Sequence, residues 1–181
     1  MIYLFVGEKY FRKKLIDTWK KSFAEKFSEN NIIHVQNPLQ HEVWFFEQNL
    51  LSTGFFSTKN LFIIDDFPFS SDDENPQNIL KMQEYFLDIF PRINTENIVV
   101  FNNLKADKRS KLYKKIKELW EIKDFIIETE EDLRQKLQQV YQNKVSSQVI
   151  DKMITLKGLQ FSNITWELDK ILPENHIFDI I

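Results

Sequence analysis

The sequence has no cysteine and only three glycines among its 181 residues. Without cysteine, the chain forms no disulfide, no zinc-thiolate site and no cysteine nucleophile. Loops that wrap phosphate groups with backbone amides need several glycines, and three leave little room for such a loop. The missing residue types therefore argue against several classes of enzyme before any motif is considered.

Long apolar runs and an excess of positive charge are also missing. No segment approaches the ~18 consecutive apolar residues that a membrane-spanning helix needs, and the first residues lack the layout of a signal peptide. The net charge is −3, so the overall charge does not draw the chain to nucleic acid. We therefore expect a cytoplasmic protein without a membrane partner.

Short apolar segments alternate with longer segments of helical periodicity over the first two thirds of the chain. Phe11, Leu15, Trp19 and Phe23 recur every four residues, as on the buried face of a helix. The predicted strands are residues 2–6, 31–35, 60–64, 97–101 and 122–127, and the helices between them are residues 8–28, 39–51, 79–90 and 107–121. This alternation predicts an α/β fold with a five-stranded parallel sheet flanked by helices.

The alternation ends after Glu128, where three helical segments follow. Thr129 is a candidate N-cap with Asp132 in the capping-box position, and Gly158 is a candidate C-terminal residue of the second helix. The predicted helices are residues 130–142, 146–156 and 162–172. We therefore expect two domains, an α/β domain over residues 1–128 and a three-helix domain over residues 129–181.

The turn after the first strand occupies the place of a phosphate-binding P-loop, G-x-x-x-x-G-K-[ST]. Gly7 and Lys13 match this pattern, but Arg12 stands in place of the second glycine and Lys14 in place of the hydroxyl residue. A bulky side chain blocks the approach of the backbone to phosphate, and a Mg²⁺ ligand is missing. The sequence therefore predicts a degenerate P-loop, no nucleotide cofactor and no nucleotide hydrolysis.

Asp65 and Asp66 follow the third predicted strand, as the metal-binding acid does in a Walker B motif. Acids often follow strands, so the favoured interpretation is a solvated pair at the start of a loop. The alternative is an AAA+-type NTPase that binds nucleotide through Lys13 and Asp65. The histidines are isolated and the serines lack the context of a nucleophile, so we predict neither a metal site nor catalytic residues.

Two adjacent phenylalanines, Phe55 and Phe56, precede the third predicted strand. Neighbouring positions on a helical turn point about 100° apart, so both rings cannot easily be buried inward. One interpretation is an aromatic anchor that inserts into a pocket of another protein. The other is a small satellite core under the segment, and the pattern alone leaves both open.

The fourth predicted helix and the residues before it are rich in basic side chains. These are Lys105, Lys108, Arg109, Lys111, Lys114, Lys115 and Lys117. Such a helix could contact DNA phosphates. It could equally be a solvated helix face, and the acidic balance of the whole chain favours this second interpretation.

Four stretches, in the same order, resemble the delta subunit of the bacterial DNA polymerase III clamp loader. They are YLFVGE at residues 3–8, GFF at residues 54–56, DKRSKLYK at residues 107–114, and the segment from Gly158 through WELDKI at residues 166–171. The resemblance covers nearly the whole chain but only two of the three domains of the family. It implies an AAA+-like domain and a helical lid, while the C-terminal collar domain has no counterpart.

The resemblance also implies a function and a binding site. Phe55 and Phe56 would insert into a hydrophobic pocket of the sliding clamp, and Leu50 and Leu51 would support that segment. The subunit would open the clamp for loading onto DNA during replication, without ATP hydrolysis or a cofactor of its own. It would be a non-catalytic part of a polymerase holoenzyme, with the clamp, the other clamp-loader subunits and DNA as partners.

Overall fold

The computed structural model describes residues 1–51, 59–69 and 76–172. Within these ranges, five strands form one sheet in the order β2-β3-β4-β1-β5, and every neighbouring pair is parallel. The strands are β1 (Ile2–Gly7), β2 (Ile32–Val35), β3 (Leu61–Asp65), β4 (Ile98–Asn103) and β5 (Glu121–Phe125). The predicted α/β fold with a five-stranded parallel sheet is confirmed.

Helices connect the strands, because parallel neighbours need a crossover that returns the chain to the starting edge of the sheet. The crossover helices are α1 (Lys9–Lys26), α2 (Val43–Leu51), α3 (Pro76–Ile89) and α4 (Lys111–Leu119). Three further helices follow β5, namely α5 (Glu130–Tyr141), α6 (Ser147–Lys157) and α7 (Phe161–Ile171). Within the described residues, no helix combines the length and the apolar character needed to cross a bilayer.

The central strands are buried on both faces of the sheet. Leu61–Ile64 of β3 are almost inaccessible to solvent, as expected for a strand of a parallel sheet covered by helices. Alternate residues point to opposite faces, so Leu61 and Ile63 pack with Phe5 and Phe23. Phe62 points to the other face, which contains a cluster of aromatic rings from α2, α3, β4 and the segment after β3: Phe46, Phe67, Phe86 and Phe101.

Of the predicted stripe of α1, only Phe23 is fully buried. Arg12, Ile16 and Phe23 are its buried residues, while Phe11 is only half-buried. Leu15 and Trp19 are also half-buried and pack at the margin of the core. The apolar spacing therefore identified the helix, but it did not predict that a charged residue lies on its innermost face.

Two helices begin later than predicted. Pro38–Gln40 form a separate 3₁₀ turn, and the next residue, His41, is extended, so α2 begins at Val43. α4 begins at Lys111 because the Ser110 hydroxyl accepts a hydrogen bond from the Tyr113 backbone N–H at 3.1 Å. α4 also ends early, and Leu119, which the longer predicted helix included, is 46% exposed.

The contacts divide the chain into two compact units. One consists of Met1–Gly7 with Phe11–Phe125 and contains the sheet, and the other consists of Glu8–Tyr10 with the chain from Ile126 onward. The identification of residues 1–128 as an AAA+-like domain and of residues 129–181 as a lid domain stays a prediction.

The helical unit has a small core of its own, built around Tyr141 at the end of α5. The Tyr141 hydroxyl lies 3.0 Å from the Thr165 carbonyl oxygen and 2.6 Å from the Asp169 Oδ1. Burial, together with the hydrogen bond to Asp169, raises the pKa of Tyr141 well above its usual range. A buried hydroxyl with two acceptors thus fixes α5 against α7, where aliphatic side chains supply the remaining contacts.

Candidate functional site

The connection between β1 and α1 is too short to be a phosphate-binding loop. β1 ends at Gly7 and α1 begins at Lys9, so Glu8 alone separates strand from helix. Gly7 has φ 110°, a conformation that favours glycine and explains this residue at the turn. A P-loop needs several residues whose backbone amides surround the phosphates, and this connection does not contain them.

The Arg12 side chain lies at the carboxyl end of β1, next to this connection. It is 5% exposed, its Nε donates to the Gly7 carbonyl oxygen at 2.8 Å, and its Nη1 donates to the Asn102 Oδ1. A guanidinium group keeps its charge when buried and requires acceptors. Lys13 and Lys14 are exposed, so of the predicted P-loop residues only Gly7 and Arg12 are brought together.

Asn102 continues a chain of polar contacts across the carboxyl ends of the strands. Its Nδ2 donates to the Asp65 Oδ1 at 2.7 Å, and the Asp65 Oδ2 lies 2.7 Å from the His34 Nε2. The His34 Nδ1 in turn lies 2.9 Å from the Lys20 Nζ. We call Arg12, Asn102, Asp65, His34 and Lys20 the edge network. It connects α1 with the ends of β4, β3 and β2.

Both carboxylate oxygens of Asp65 therefore have partners. Burial by itself would raise the pKa of this carboxyl group, but the hydrogen bonds from His34 and Asn102, with the nearby charges of His34 and Lys20, lower the pKa overall. The interpretation of Asp65 as a solvated acid is wrong, because neighbouring strands supply partners that the sequence pattern does not show. It holds for Asp66, which is exposed.

The edge network joins neighbouring strands of the sheet. It also engages the Asp65 carboxylate, which a nucleotide site would need for its metal ion. The Asp65 oxygens that would bind Mg²⁺ in a Walker B site accept hydrogen bonds from His34 and Asn102 instead. Among the residues that the structure describes, no group of three or more acidic or histidine side chains is placed to hold a metal ion.

The predicted aromatic anchor, Phe55 and Phe56, lies outside the described residues. On one side of it, Leu50 is fully buried and Leu51 is half-buried at the end of α2. On the other side, the Asn31 Nδ2 donates to the Lys59 carbonyl oxygen at 3.2 Å. The structure therefore fixes both flanks of this segment on the sheet unit.

Asn97, directly before β4, connects these two flanks. Its Nδ2 donates to the Leu50 carbonyl oxygen at 3.4 Å, and its Oδ1 accepts from the Asn60 backbone N–H at 3.0 Å. The side chain is 1% exposed, so both contacts are shielded from water. The sequence analysis missed this role, because an asparagine before a strand is no signal for a tie between distant segments.

Trp44 is a second residue that the sequence analysis missed. It lies on α2, off the stripe that Phe46 and Leu50 bury, and it is 57% exposed. Trp44 and Leu51 are seven residues apart and therefore share one face of the helix. An exposed tryptophan on the helix that leads to Phe55 and Phe56 fits a protein-binding surface, where tryptophan is enriched.

The basic residues lie mostly in solvent, in the segment before α4 and on α4 itself. Lys108, Lys111 and Lys114 are exposed. Arg109 pairs with Asp107 at 3.1 Å, and Lys115 pairs with Glu118 at 3.4 Å. The structure thus presents the predicted DNA-contacting residues on an accessible surface, while the apolar face of α4 buries Leu112, Tyr113 and Ile116.

These features define a class of fold: a parallel α/β domain whose phosphate-loop position is occupied by an arginine, followed by helices. Solved structures include similar folds. The DNA clamp loader delta protein of Bacillus subtilis aligns with a TM-score of 0.56 and 13% identity over 93% of this chain and 52% of that protein. A chain of the HORMA:CdnC:Trip13 complex of Escherichia coli MS115-1 aligns with a TM-score of 0.55 and 12% identity over 93% of this chain and 66% of that chain.

At these identities the comparison establishes a shared fold. This chain spans about half the length of the first structure and about two thirds of the length of the second. No protein-family model matches the sequence, and no curated protein matches it significantly.

Proposed function

We propose that this chain acts as a clamp-loader subunit of the delta type, which binds a sliding clamp and holds it open for loading onto DNA. Three lines support the proposal: the fold shared with a clamp loader delta protein, the four resembling sequence stretches, and the tie through Asn97. The tie carries most weight, because it fixes both ends of the segment that contains Phe55 and Phe56.

A fixed base matters because an anchor binds better when it is preorganised. Two buried aromatic rings would contribute roughly 3–6 kcal/mol of gross burial, enough for a binding hot spot. Trp44 and Leu51 extend the apolar surface along α2 toward the anchor. Opening of a clamp requires a higher affinity for the open form than for the closed form, and this wider surface offers contacts that could differ between the two.

The proposal assigns separate roles to the two domains, as the delta type implies. Residues 1–128 act as an AAA+-like domain that presents the anchor, and residues 129–181 act as a lid. ATP hydrolysis is left to other clamp-loader subunits, since here Arg12 and the short β1–α1 connection occupy the phosphate position.

The test is binding to the sliding clamp of the same organism, measured by surface plasmon resonance. We expect the double variant F55A/F56A to lose about 100-fold or more in affinity, since two hot-spot side chains are removed. Phe27→Ala is the matched control, because it removes an exposed ring directly after α1 and should leave binding unchanged. Undiminished binding by the double variant, with an unchanged thermal melt, would refute the proposal.

A second variant probes the tie while both rings remain present. Asn97→Ala removes the hydrogen bonds to the Leu50 carbonyl and the Asn60 amide. We expect weaker clamp binding by about 5- to 100-fold, since one to three kcal/mol of ordering is lost. If binding stays at the wild-type level, the fixed base is irrelevant to recognition.

DNA binding through α4 is a second candidate function, favoured by the exposure of Lys108, Lys111 and Lys114. Each phosphate contact adds about 0.9 to the slope of log affinity against log salt. Changing Lys111, Lys114 and Lys115 to Glu should abolish salt-dependent affinity for duplex DNA. Changing Lys13, Lys14 and Lys21 of α1 is the control with the same charge change, and equal losses in both variants would exclude α4 as the site.

A further inference from the structure

The amino ends of β3 and β4, opposite the edge network, border a groove with a volume of about 300 Å³. Phe23 of α1, Leu61 of β3 and Ile98 of β4 contribute to its lining. Phe23 and Leu61 are buried, so they form a fixed apolar surface rather than a mobile one. The volume lies at the lower end of the range for small-molecule sites.

Two aromatic side chains, Trp19 of α1 and Phe27 directly after this helix, complete the apolar part of the lining. Trp19 is held in place by edge contacts to Tyr3 and Phe5, with ring centroids 4.8 and 5.3 Å apart. Phe27 contacts the Phe23 ring at 4.7 Å between centroids and is 47% exposed. An exposed phenylalanine at a groove is poorly accounted for by core packing alone, and a ligand would cover it.

The polar part of the lining is cationic. Lys26 and Lys59 both line the groove, and the Lys59 Nζ lies 5.9 Å from the centroid of the Phe27 ring. In the part of the chain that the structure describes, neither lysine has a carboxylate within 4.0 Å, and no acidic side chain is among the lining residues. The groove therefore has an apolar lining and two lysines that no described carboxylate pairs with.

The backbone at this end of the sheet is already paired. The Ile98 N–H donates to the Asn60 carbonyl oxygen at 2.9 Å, and the Val99 N–H donates to the Met1 carbonyl oxygen at 2.9 Å. β3 and β4 each have a neighbour on both sides. An extended peptide that binds by adding a strand needs a free edge, so recognition here depends on side chains and suits a small ligand.

We propose that this groove binds a small amphipathic anion, an aliphatic or aromatic carboxylate with one charged head group. Trp19, Phe23 and Phe27 pack against its apolar body together with Leu61 and Ile98. Lys26 and Lys59 bind the carboxylate, and the Lys59 ammonium group does so beside the Phe27 ring. The proposal does not depend on the proposed clamp-binding function.

Octanoate and 1-octanol are suitable probes, because they share an alkyl body and differ in the charge of the head group. We expect isothermal titration calorimetry at low salt to give octanoate about 2- to 30-fold higher affinity than 1-octanol, since two partly exposed cations contribute. The chain has four tryptophans. In ¹H–¹⁵N spectra, octanoate should shift one indole resonance, and this resonance should be the one missing in Trp19→Phe.

Two variants test separately the contribution of the two lysines and the contribution of the apolar lining. In K26Q/K59Q the preference for octanoate over 1-octanol should disappear, while 1-octanol binds as before. Phe27→Ala should weaken both probes by a similar factor. Lys21→Gln, on the same helix and outside the groove, is the control and should bind both probes like the wild type.

Three results would overturn the proposal. One is equal affinity for octanoate and 1-octanol, and another is a retained preference for octanoate in K26Q/K59Q. The third is an indole shift that belongs to a tryptophan other than Trp19. Circular dichroism melts of all variants show whether a loss of binding comes from a loss of folding, and the exposed position of Phe27 makes its variant safe in this respect.

Discussion

Arg12 is the residue that best separates this chain from a nucleotide-binding one. A glycine at this position of a P-loop lets the backbone approach phosphate. Here the guanidinium group contacts the Gly7 carbonyl and Asn102 instead. The positive charge of Arg12 could otherwise attract the phosphates of a nucleotide. It is instead paired with acceptors within the protein.

Arg12→Ala should lower the free energy of unfolding by about 2–4 kcal/mol, because the charged hydrogen bonds to the Gly7 carbonyl and to Asn102 are lost. Urea unfolding followed by circular dichroism measures the change. Lys13→Ala is the control at the next, exposed position and should change stability by less than about 0.5 kcal/mol. A similar small effect for both variants would contradict the structural role of Arg12.

Asp65 makes stability depend on acid pH. Its pKa in the folded protein is lowered, so the carboxylate contributes stability above the unfolded pKa of about 3.9, and this contribution is lost as the pH falls through the folded pKa. The difference in unfolding free energy between wild type and Asp65→Asn should therefore shrink below about pH 4. Parallel curves between pH 6 and pH 2.5 would show that the contacts with His34 and Asn102 do not matter.

At the scale of single residues, the sequence identified positions better than roles. Gly7, Arg12 and Asp65 were recognised as the places where a nucleotide site would stand. Their mutual contacts were not predictable, because Asn102 and His34 come from other strands and meet Asp65 only when the sheet forms. Asn97 and Trp44 gave no signal at all, since neither fits a motif or a periodic stripe.

Among the helices, α5 shows how a local signal fixes a boundary. The Thr129 Oγ1 accepts from the Asp132 N–H at 3.0 Å, and the Asp132 carboxylate accepts from the Thr129 N–H at 3.1 Å. Both halves of the predicted capping box are present. The capping hydrogen bonds from Thr129 also lower the pKa of Asp132.

Thr129→Ala should lower the free energy of unfolding by about 1 kcal/mol, the usual value of an N-cap. Ser146 is a matched control, because it is the N-cap of α6 and its side chain makes no capping hydrogen bond. Ser146→Ala should therefore lower the free energy of unfolding by clearly less than Thr129→Ala in the same thermal or urea unfolding experiment. Equal costs would mean that the cap geometry does not determine the stability of α5.

Helix and strand positions were predictable wherever burial sets the pattern. The apolar run of β3 and the periodic stripe of α1 identify both elements from the sequence. The starts of α2 and α4 were placed too early, because Pro38–Gln40 and the cap at Ser110 interrupt helical patterns that continue in the sequence. Apolar periodicity reports which face is buried, whereas a helix end depends on single hydrogen bonds.

At the scale of the whole molecule, the alternative function can be compared with the positions of the residues it requires. The alternative of an AAA+-type NTPase requires Lys13 and Asp65 to act on one nucleotide. Lys13 is exposed, and Asp65 is held by Asn102 and His34.

Calorimetric titration with Mg-ATP should give no saturable heat up to about 1 mM, a limit that corresponds to about −4 kcal/mol of binding free energy. The physical reason is that the β1–α1 connection has no loop to surround the phosphates. Saturable binding that is lost in Lys13→Ala and in Asp65→Asn would support the NTPase and contradict the clamp-loader proposal on this point.

The overall architecture followed from the sequence, but the order of strands did not. Alternating strands and helices restrict the fold to a parallel sheet, whereas the placement of β1 between β4 and β5 depends on contacts between distant segments. The predicted anchor at Phe55 and Phe56 remains a prediction, and the tie through Asn97 shows how its base is held.

The position of β1 between β4 and β5 has a consequence for synthesis on the ribosome. β1 leaves the ribosome first, but its neighbours begin only at Ile98 and Glu121. At usual elongation rates the strand spends roughly 5–20 seconds with both edges open, and open apolar edges invite aggregation. Until β4 and β5 have been translated, β1 therefore has no neighbouring strand to pair with on either edge.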